Sequence, residues 1–341
     1  MRIPGKVRLR RAVRRFIGSR DALILMYHRV SESGPDPWGL SVSPRHFSDH
    51  LEVLRRHASP MPLQYLTSSH AWKGRSPRAL AITFDDGYAD NLLAAAPLLR
   101  RHDIPATVFV ATASIGKPRG FWWDELADLL LLPGQLPEAL ELTISGRAYR
   151  WRLGRLADYP MDTYQRYRSY PAWQDPPTER HATYTAIWRL LQTLPTGVQR
   201  EVLDALTEWA GTAATPKASH RMLTEVEVTA LGQDGLIEIG AHTMTHPVLP
   251  TLSLDAQRRE VMESKACLER IVNRVVDSFA YPYGQTSTLT AAVVREAAFE
   301  RACTTQAGLV GSQTDRFHLP RISVPDCDGE DFAERLSRAF A

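Results

Sequence analysis

Two pairs of polar residues follow apolar runs and have the chemistry of a metal site. Asp85 and Asp86 stand side by side after the run ALAITF, and His242 and His246 lie four residues apart after the run IEIGA. Two imidazoles and one carboxylate are a common ligand set for a catalytic zinc ion or a similar divalent cation, and they leave positions open for water and substrate. The sequence therefore predicts a divalent metal, with Zn²⁺ as the expected ion.

The histidine spacing predicts a common direction for the two rings. Residues i and i+4 of a helical turn project to one side, and Pro247 would end such a turn. An isolated HxxxH is more typical of a surface pair, and an isolated DDG is more typical of a turn. The metal hypothesis depends on finding both of them at strand ends.

The two adjacent aspartates are predicted to have different roles at this site. Ala81, Thr83 and Asp85 share one face of the predicted strand, and small residues there suit a barrel interior, so Asp85 is expected to point inward. Gly87 permits a sharp turn that brings Asp86 toward the same cavity. One aspartate would ligate the metal, and the other would accept a proton from metal-bound water.

The elements that must position these residues alternate along the chain. Apolar runs predict strands at 22–30, 79–84 and 106–112 with helices between them, and the alternation resumes from residue 221. This order is typical of an α/β fold with a parallel sheet or barrel. The carboxyl ends of barrel strands meet on one rim, where such folds assemble their sites. Residues 113–220 interrupt the alternation and are predicted to form a mostly helical insertion.

Three motifs in this order, TFDDG, HTMTHP and FAYPYG, resemble the polysaccharide deacetylase family, the NodB-homology carbohydrate esterases. The resemblance covers roughly residues 22–112 and 221–325. It implies a distorted (β/α) barrel and the hydrolysis of acetyl groups, usually N-acetyl groups on amino sugars. An N-acetylated glycan is therefore the expected substrate.

The resemblance also implies roles for individual residues. Asp85 would be the catalytic base, and the backbone N–H of Tyr283 would donate to the oxyanion. The metal ligands would be Asp86, His242 and His246.

The sequence departs from the family pattern in two places. An arginine often precedes the Pro-Tyr pair of the third motif, but Ser278 and Ala280 stand nearby here, and Arg321 in LPRISV is predicted to replace it. The late Leu-x-His motif, which often supplies the acid, is absent. His28 ends a predicted strand as Asp85 does, so it is the predicted proton donor to the leaving amine. Two alternatives stay open: His318 is the donor, or His28 only packs or orients Asp85.

Composition limits the classes of partner and compartment. The 41 basic and 38 acidic residues are balanced, which argues against nucleic-acid binding. The three cysteines form no CxxC pair, which argues against a thiolate metal knuckle, and their odd number and wide spacing favour a reducing compartment. A cytoplasmic location is expected. The catalytic domain is predicted at 22–341 and a basic arm at 1–21. Residues 1–20 fit an amphipathic helix on an anionic membrane surface or a disordered tail equally well.

The function predicted from these observations is metal-dependent removal of acetyl groups, N-acetyl groups first, from a polysaccharide or oligosaccharide. The alternatives are an O-acetyl esterase, a cyclic-amide hydrolase, and a carbohydrate-binding protein that has lost catalysis. The insertion contributes many aromatic side chains. Trp122 and Trp123 are candidates for a substrate wall, against the alternative that they build a helical core.

Overall fold

The computed structural model describes residues 21–32, 34–67, 78–212 and 217–340. The predicted membrane contact of residues 1–20 lies outside these ranges. None of the helices in the described ranges is long and apolar enough to cross a membrane.

Short strands and longer helices alternate through most of the described ranges. The strands are β1 Leu23–Tyr27, β2 Arg29–Val30, β3 Ser41–Val42, β4 Ser59–Pro60, β5 Ala79–Phe84, β6 Ala106–Val110, β7 Gly134–Gln135, β8 Ala139–Ile144, β9 Arg147–Arg152, β10 Asp158–Tyr159, β11 Ile237–Ala241, β12 Ser278–Ala280, β13 Arg301–Cys303 and β14 Ile322–Ser323. The α-helices are α1 Pro44–His57, α2 Leu63–Thr67, α3 Ala96–His102, α4 Trp122–Leu131, α5 Met161–Tyr167, α6 Glu179–Leu191, α7 Thr196–Trp209, α8 Glu225–Gly232, α9 Leu254–Val272, α10 Thr288–Glu296 and α11 Gly329–Ala339.

A parallel sheet forms the centre of the fold. Its strand order is β13-β12-β11-β6-β5-β1-β14, and β4 pairs beside the start of β5. The chain between its two end strands nearly closes it, because Leu319 bridges to Cys303 of β13 and Ile322 pairs with Leu25 of β1. The prediction of an α/β distorted barrel is confirmed.

The two faces of β5 explain why this run forms a barrel strand. Leu80, Ile82 and Phe84 pack in the cluster between sheet and helices, whereas Ala81 belongs to a smaller cluster inside the barrel. Thr83 also faces inward, and its hydroxyl donates to the Leu25 carbonyl oxygen of β1. Both faces are buried, so the strand is a continuous apolar run.

Residues 113–220 build a second apolar cluster beside the barrel. Helices α4, α6 and α7 supply most of it, and β8 and β9 add an antiparallel hairpin that the helical prediction did not include. The burial of β8 alternates: Leu140, Leu142 and Ile144 are buried and the residues between them are exposed. A period of two is the strand signal, so ALELTI itself carried the information. Tyr88 and Ala111 of the barrel rim join this cluster, which places the insertion against the carboxyl ends of β5 and β6.

Candidate active site

The chain turns sharply where β5 ends, and this turn presents both aspartates. Asp86 and Gly87 have positive φ angles of 78° and 83°. A Cβ on Gly87 would lie 2.9 Å from Cγ1 and 3.3 Å from Cα of Val110, so only glycine fits both the backbone conformation and the space. Asp85 and Asp86 are each 2% exposed. The turn therefore buries two adjacent carboxylates at the end of β5.

The two histidines lie on an irregular loop after β11, which corrects the predicted helical turn. The His242 N–H continues the sheet by donating to the Val110 carbonyl oxygen, but Thr243 and His246 have positive φ angles of 63° and 59°. The Thr243 hydroxyl accepts from the His246 N–H at 3.1 Å. A hydrogen bond to the Thr243 side chain, and not the backbone hydrogen bonds of a helix, thus helps to bring the two imidazoles together.

Glu260 of α9 holds the same loop from behind. Its carboxylate accepts from the N–H groups of Met244 and Thr245, both at 2.9 Å, and from the Thr245 hydroxyl at 2.7 Å. The sequence analysis missed this residue, because nothing near Glu260 along the chain marks it as a partner of the loop.

Asp86, His242 and His246 form a compact, buried cluster. One donor atom of each lies within 4.8 Å of the others, and Asp86 Oδ1 is 3.5 Å from His242 Nε2 and 3.3 Å from His246 Nε2. His242 Nδ1–H donates to the Ala280 carbonyl oxygen at 2.7 Å, which leaves Nε2 facing Asp86. Burial opposes ionisation of Asp86, but the two histidines outweigh it and hold its pKa below the usual range.

Arg321 binds the other aspartate inside the barrel. Its two terminal nitrogens each donate to one carboxylate oxygen of Asp85 at 2.7 Å, and Nη1 also donates to the Thr83 hydroxyl. Burial alone would raise the pKa of Asp85, but Arg321 outweighs it, so the pKa is lowered and the carboxylate stays ionised. The structure therefore brings Arg321 to Asp85, as the sequence analysis predicted.

The two candidate acids occupy different places. His28 Nε2 is 4.0 Å from Asp85 Oδ2, too far for a direct hydrogen bond, and its side chain is 16% exposed. His318 Nδ1–H donates to the Asp315 carboxylate at 2.9 Å, and its ring lies near the Tyr281 ring. Of the two, His28 is the one beside the aspartate pair.

Three aromatic rings pack against His246. Tyr283, at a positive φ of 56°, places its ring centroid 4.6 Å from that of His246, and Trp123 and Phe121 lie at 4.9 and 5.6 Å. Trp122 and Trp123 are 8% and 6% exposed, so both belong to the core of the insertion. Trp123 nevertheless forms one wall of the histidine pocket.

A buried polar group links the insertion to the end of β5. The Tyr88 hydroxyl donates to Asp124 of α4 at 2.8 Å and accepts from Trp123 Nε1 at 3.0 Å. Arg29 lies over the Tyr88 ring and pairs with Asp90 at 3.1 Å. The sequence analysis missed these hydrogen bonds. The bond from Trp123 Nε1 to the Tyr88 hydroxyl holds the Trp123 ring against His246.

Comparison with known proteins places this architecture in a family. The family model for polysaccharide deacetylase matches residues 73–135 and 186–302, more than half of the chain. The chain therefore belongs to the polysaccharide deacetylase family, whose members are hydrolases that act on polysaccharides. The predicted resemblance is confirmed. The match enters both ends of the segment 113–220 and leaves out 136–185.

One curated relative is YxkH of Bacillus subtilis (strain 168), whose name places it provisionally among the polysaccharide deacetylases. It is 35% identical over 112 residues, which span 31% of this chain and 37% of that protein. The chain thus matches little more than a third of that relative's length.

Solved structures share the fold across nearly the whole chain at low sequence identity. The Streptococcus pyogenes deacetylase PplD in complex with acetate has a TM-score of 0.57 and 17% identity, and covers 94% of this chain and 98% of its own. IcaB from Ammonifex degensii has a TM-score of 0.56 and 18% identity, with 94% and 97% covered. The de-N-acetylase from Aggregatibacter actinomycetemcomitans has a TM-score of 0.54 and 13% identity, with 93% and 99% covered.

Proposed function

We propose that this protein removes N-acetyl groups from a glycan with the help of a divalent metal, Zn²⁺ being the expected ion. Family membership supports a hydrolase acting on polysaccharide. The observation that carries the metal proposal is the buried cluster of Asp86, His242 and His246, with Asp85 beside it.

The donor set fits a metal ion. Ligand atoms of a tetrahedral zinc site with bonds near 2.0–2.1 Å lie about 3.3 Å apart, and the two Asp86–histidine distances are 3.5 and 3.3 Å. Asp86 Oδ1 is buried without a hydrogen-bond partner among the described residues, which is costly unless a cation binds there. The carbonyl oxygen of Ala280 fixes His242 in the tautomer that a metal ligand needs.

The pocket also favours positive charge. Burial opposes protonation of His242, but Asp86 and Asp85 outweigh it and hold the pKa of that imidazole above its usual value. For His246, burial dominates and lowers the pKa, which favours the neutral ring. A divalent cation would satisfy the unpaired oxygen of Asp86 and needs both imidazoles neutral.

Asp85 is the proposed general base. A bound divalent cation polarises the acetyl carbonyl and lowers the pKa of a water molecule beside it. Asp85 is ionised and held by Arg321 in one orientation, so it is ready to accept the proton of that water. The lowered pKa of Asp85 makes it a weak base. A weak base is sufficient here, because a bound cation would also lower the pKa of the water that gives up the proton.

Two further residues are proposed to serve the later steps. Tyr283 lies against His246, where its backbone N–H would donate to the carbonyl oxygen as that oxygen gains negative charge. The leaving amine must depart protonated, and His28, whose Nε2 is 4.0 Å from Asp85 Oδ2, is the proposed donor.

Acetate release measured together with metal content tests this function. The protein is dialysed against chelator, reloaded with Zn²⁺, and assayed on N-acetylated and O-acetylated oligosaccharides. We expect one metal per chain and acetate release from the N-acetylated glycan only in the loaded form. His246→Ala should lower both metal content and rate, while His102→Ala, a replacement at the end of α3, should change neither. Full metal content and full activity in His246→Ala would refute the assignment, and release from the O-acetylated glycan alone would make the protein an esterase.

A further inference from the structure

Three aromatic side chains form a continuous row of ring contacts that begins at the proposed metal site, and a fourth, exposed one lies beside the loop that carries the last of them. Tyr283 contacts His246, the ring centroids of Trp188 and Tyr283 lie 6.2 Å apart, and those of Trp38 and Trp188 lie 4.0 Å apart. Tyr283, Trp188 and Trp38 are each half-buried. The fourth member is Trp173, so the aromatic stripe is Tyr283, Trp188, Trp38 and Trp173.

Trp173 is next to Trp38 through backbone contacts. The Ala172 N–H donates to the Pro37 carbonyl oxygen at 2.7 Å, which ties the Trp173 turn to the loop that carries Trp38. Gly39, on the same loop, has a φ of 64°, and a Cβ there would lie 3.9 Å from the ring of Trp173. The indole of Trp173 therefore lies beside the loop that carries Trp38, and on this ground it is counted as a member of the stripe.

The end of the stripe is exposed and yet held in place. Trp173 is 65% exposed. Its turn is closed by a hydrogen bond from the Gln174 N–H to the Pro171 carbonyl oxygen at 3.0 Å, and the Tyr170 hydroxyl donates to the Gln174 carbonyl oxygen. Trp38 is fixed by donation from Nε1 to the Tyr184 hydroxyl at 2.9 Å. The exposed indole therefore stands on an anchored turn, as a rigid aromatic surface on which a ligand can stack.

We infer that Trp173 is an outer binding subsite on which a sugar ring of a long glycan stacks while another sugar lies at the metal site. This inference rests on the proposed function. Aromatic faces offer large, rigid contact area at little entropic cost, and the C–H face of a sugar ring is apolar. The stripe is continuous with the site, which favours one extended glycan over an unrelated partner. Trp173 lies in 136–185, outside the family match, so the subsite would be a property of this chain.

The chemistry predicts a dependence on substrate length. Trp188 and Trp38 come between Tyr283 and Trp173 along the stripe, so we expect a long oligomer, but not an N-acetylglucosamine monomer at the metal site, to contact Trp173. Removing the indole should therefore weaken the binding of long glycans and leave the binding of the monomer unchanged.

Matched variants test the subsite by direct binding as well as by turnover. Wild type, Trp173→Ala, Trp173→Phe and Met161→Ala are compared by calorimetry and by acetate release with the N-acetylglucosamine monomer and hexamer. Met161 is an exposed apolar residue of the same segment. We expect Trp173→Ala to raise the Kd and KM for the hexamer about tenfold, the effect of losing one good aromatic contact. The monomer should be unaffected, Trp173→Phe should recover part of the loss, and Met161→Ala should match wild type.

The possible failures are distinguishable. Equal hexamer binding by wild type and Trp173→Ala overturns the subsite, and so does an equal loss for monomer and hexamer, or no hexamer binding by wild type. Hexamer binding that depends on Trp173 without acetate release overturns the proposed function alone. If Trp173→Ala leaves glycan binding intact but converts a dimer to a monomer in size-exclusion chromatography, a second copy of the chain covers Trp173 instead.

Discussion

Arg321 and Asp85 form a two-pronged, buried ion pair across the barrel interior. Both hydrogen bonds are 2.7 Å long, and the two residues are 236 positions apart in the chain. Arg321 lies between Leu319, which bridges to β13, and Ile322, which pairs with β1. The segment that closes the barrel therefore also orients the proposed base, so closure of the barrel and catalytic geometry are expected to fail together.

Arg321→Gln should damage both stability and rate. Asp85 would be left buried without its cation, which costs on the order of 3–5 kcal/mol in free energy of unfolding. We expect kcat to fall by ~10²-fold, because the base loses its orientation. Arg321→Lys keeps the positive charge but loses the pair of hydrogen bonds to the two carboxylate oxygens. Its stability and kcat should therefore lie between those of wild type and Arg321→Gln. Urea unfolding and acetate release measure these effects, with the exposed Arg316→Gln as control. Wild-type rates in Arg321→Gln would exclude the orienting role.

Asp85 and Asp86 should respond differently to amide substitution. Asp85→Asn removes the proposed base but keeps all three proposed ligands, so metal content should stay near one per chain while the rate falls by ~10²-fold or more. Asp86→Asn removes the charged ligand and should lower the metal content itself. Metal analysis of both variants after identical dialysis provides the comparison. Loss of metal from Asp85→Asn with retention in Asp86→Asn would exchange the two roles.

The barrel and the position of the site were predictable because parallel strands impose a simple rule. The runs ALILMY, ALAITF and IEIGA are followed directly by His28, Asp85 and His242. The carboxyl ends of parallel strands share one rim, so these residues were expected together. Asp85 and His242 follow β5 and β11, so they had to lie near each other once the sheet was assumed. The sharp turn at Gly87 was also predictable, because a glycine directly after a buried strand permits a left-handed backbone.

The features of the site that the sequence could not predict depend on contacts between residues far apart in the chain. A four-residue spacing predicts a helical turn at His242–His246, but Glu260 supplies hydrogen bonds that stabilise an irregular loop instead. Trp123 reaches His246 only because Tyr88 and Asp124 hold it across the boundary between barrel and insertion. Such contacts carry no local periodicity, so no reading of neighbouring residues would reveal them.

The proton donor can be identified by comparing His28→Gln with His318→Gln. His28 lies 4.0 Å from Asp85, and His318 pairs with Asp315. A general acid matters for an acetamide, whose amine leaves poorly, and much less for an ester with a good leaving group. We expect His28→Gln to slow the amide by ~10²-fold and the activated ester little, while His318→Gln changes neither. Equal slowing of both substrates by His28→Gln would assign it instead to orienting Asp85.

His50 should make the fold sensitive to mild acid. This fully buried ring contacts the Tyr27 hydroxyl at 3.2 Å and donates from Nε2 to the Cys327 carbonyl oxygen at 2.8 Å. Burial is the main cause that lowers its pKa to about 4, against about 6.5 in an unfolded chain. Between these values the unfolded state binds more protons, so stability is complete above pH 6.5 and falls as the pH drops toward 4. The loss for this group is on the order of 3 kcal/mol.

Urea unfolding of His50→Gln at pH 7 and pH 4.5 tests this expectation. Glutamine cannot titrate, so the variant should lose less stability than wild type between the two pH values, even if it is less stable at pH 7. Part of the pH dependence should remain, because burial also lowers the pKa of His181 to about 4. His57→Gln, at the exposed end of the same helix, should keep the wild-type dependence. An unchanged pH dependence in His50→Gln would show that His50 is not the group whose protonation destabilises the fold.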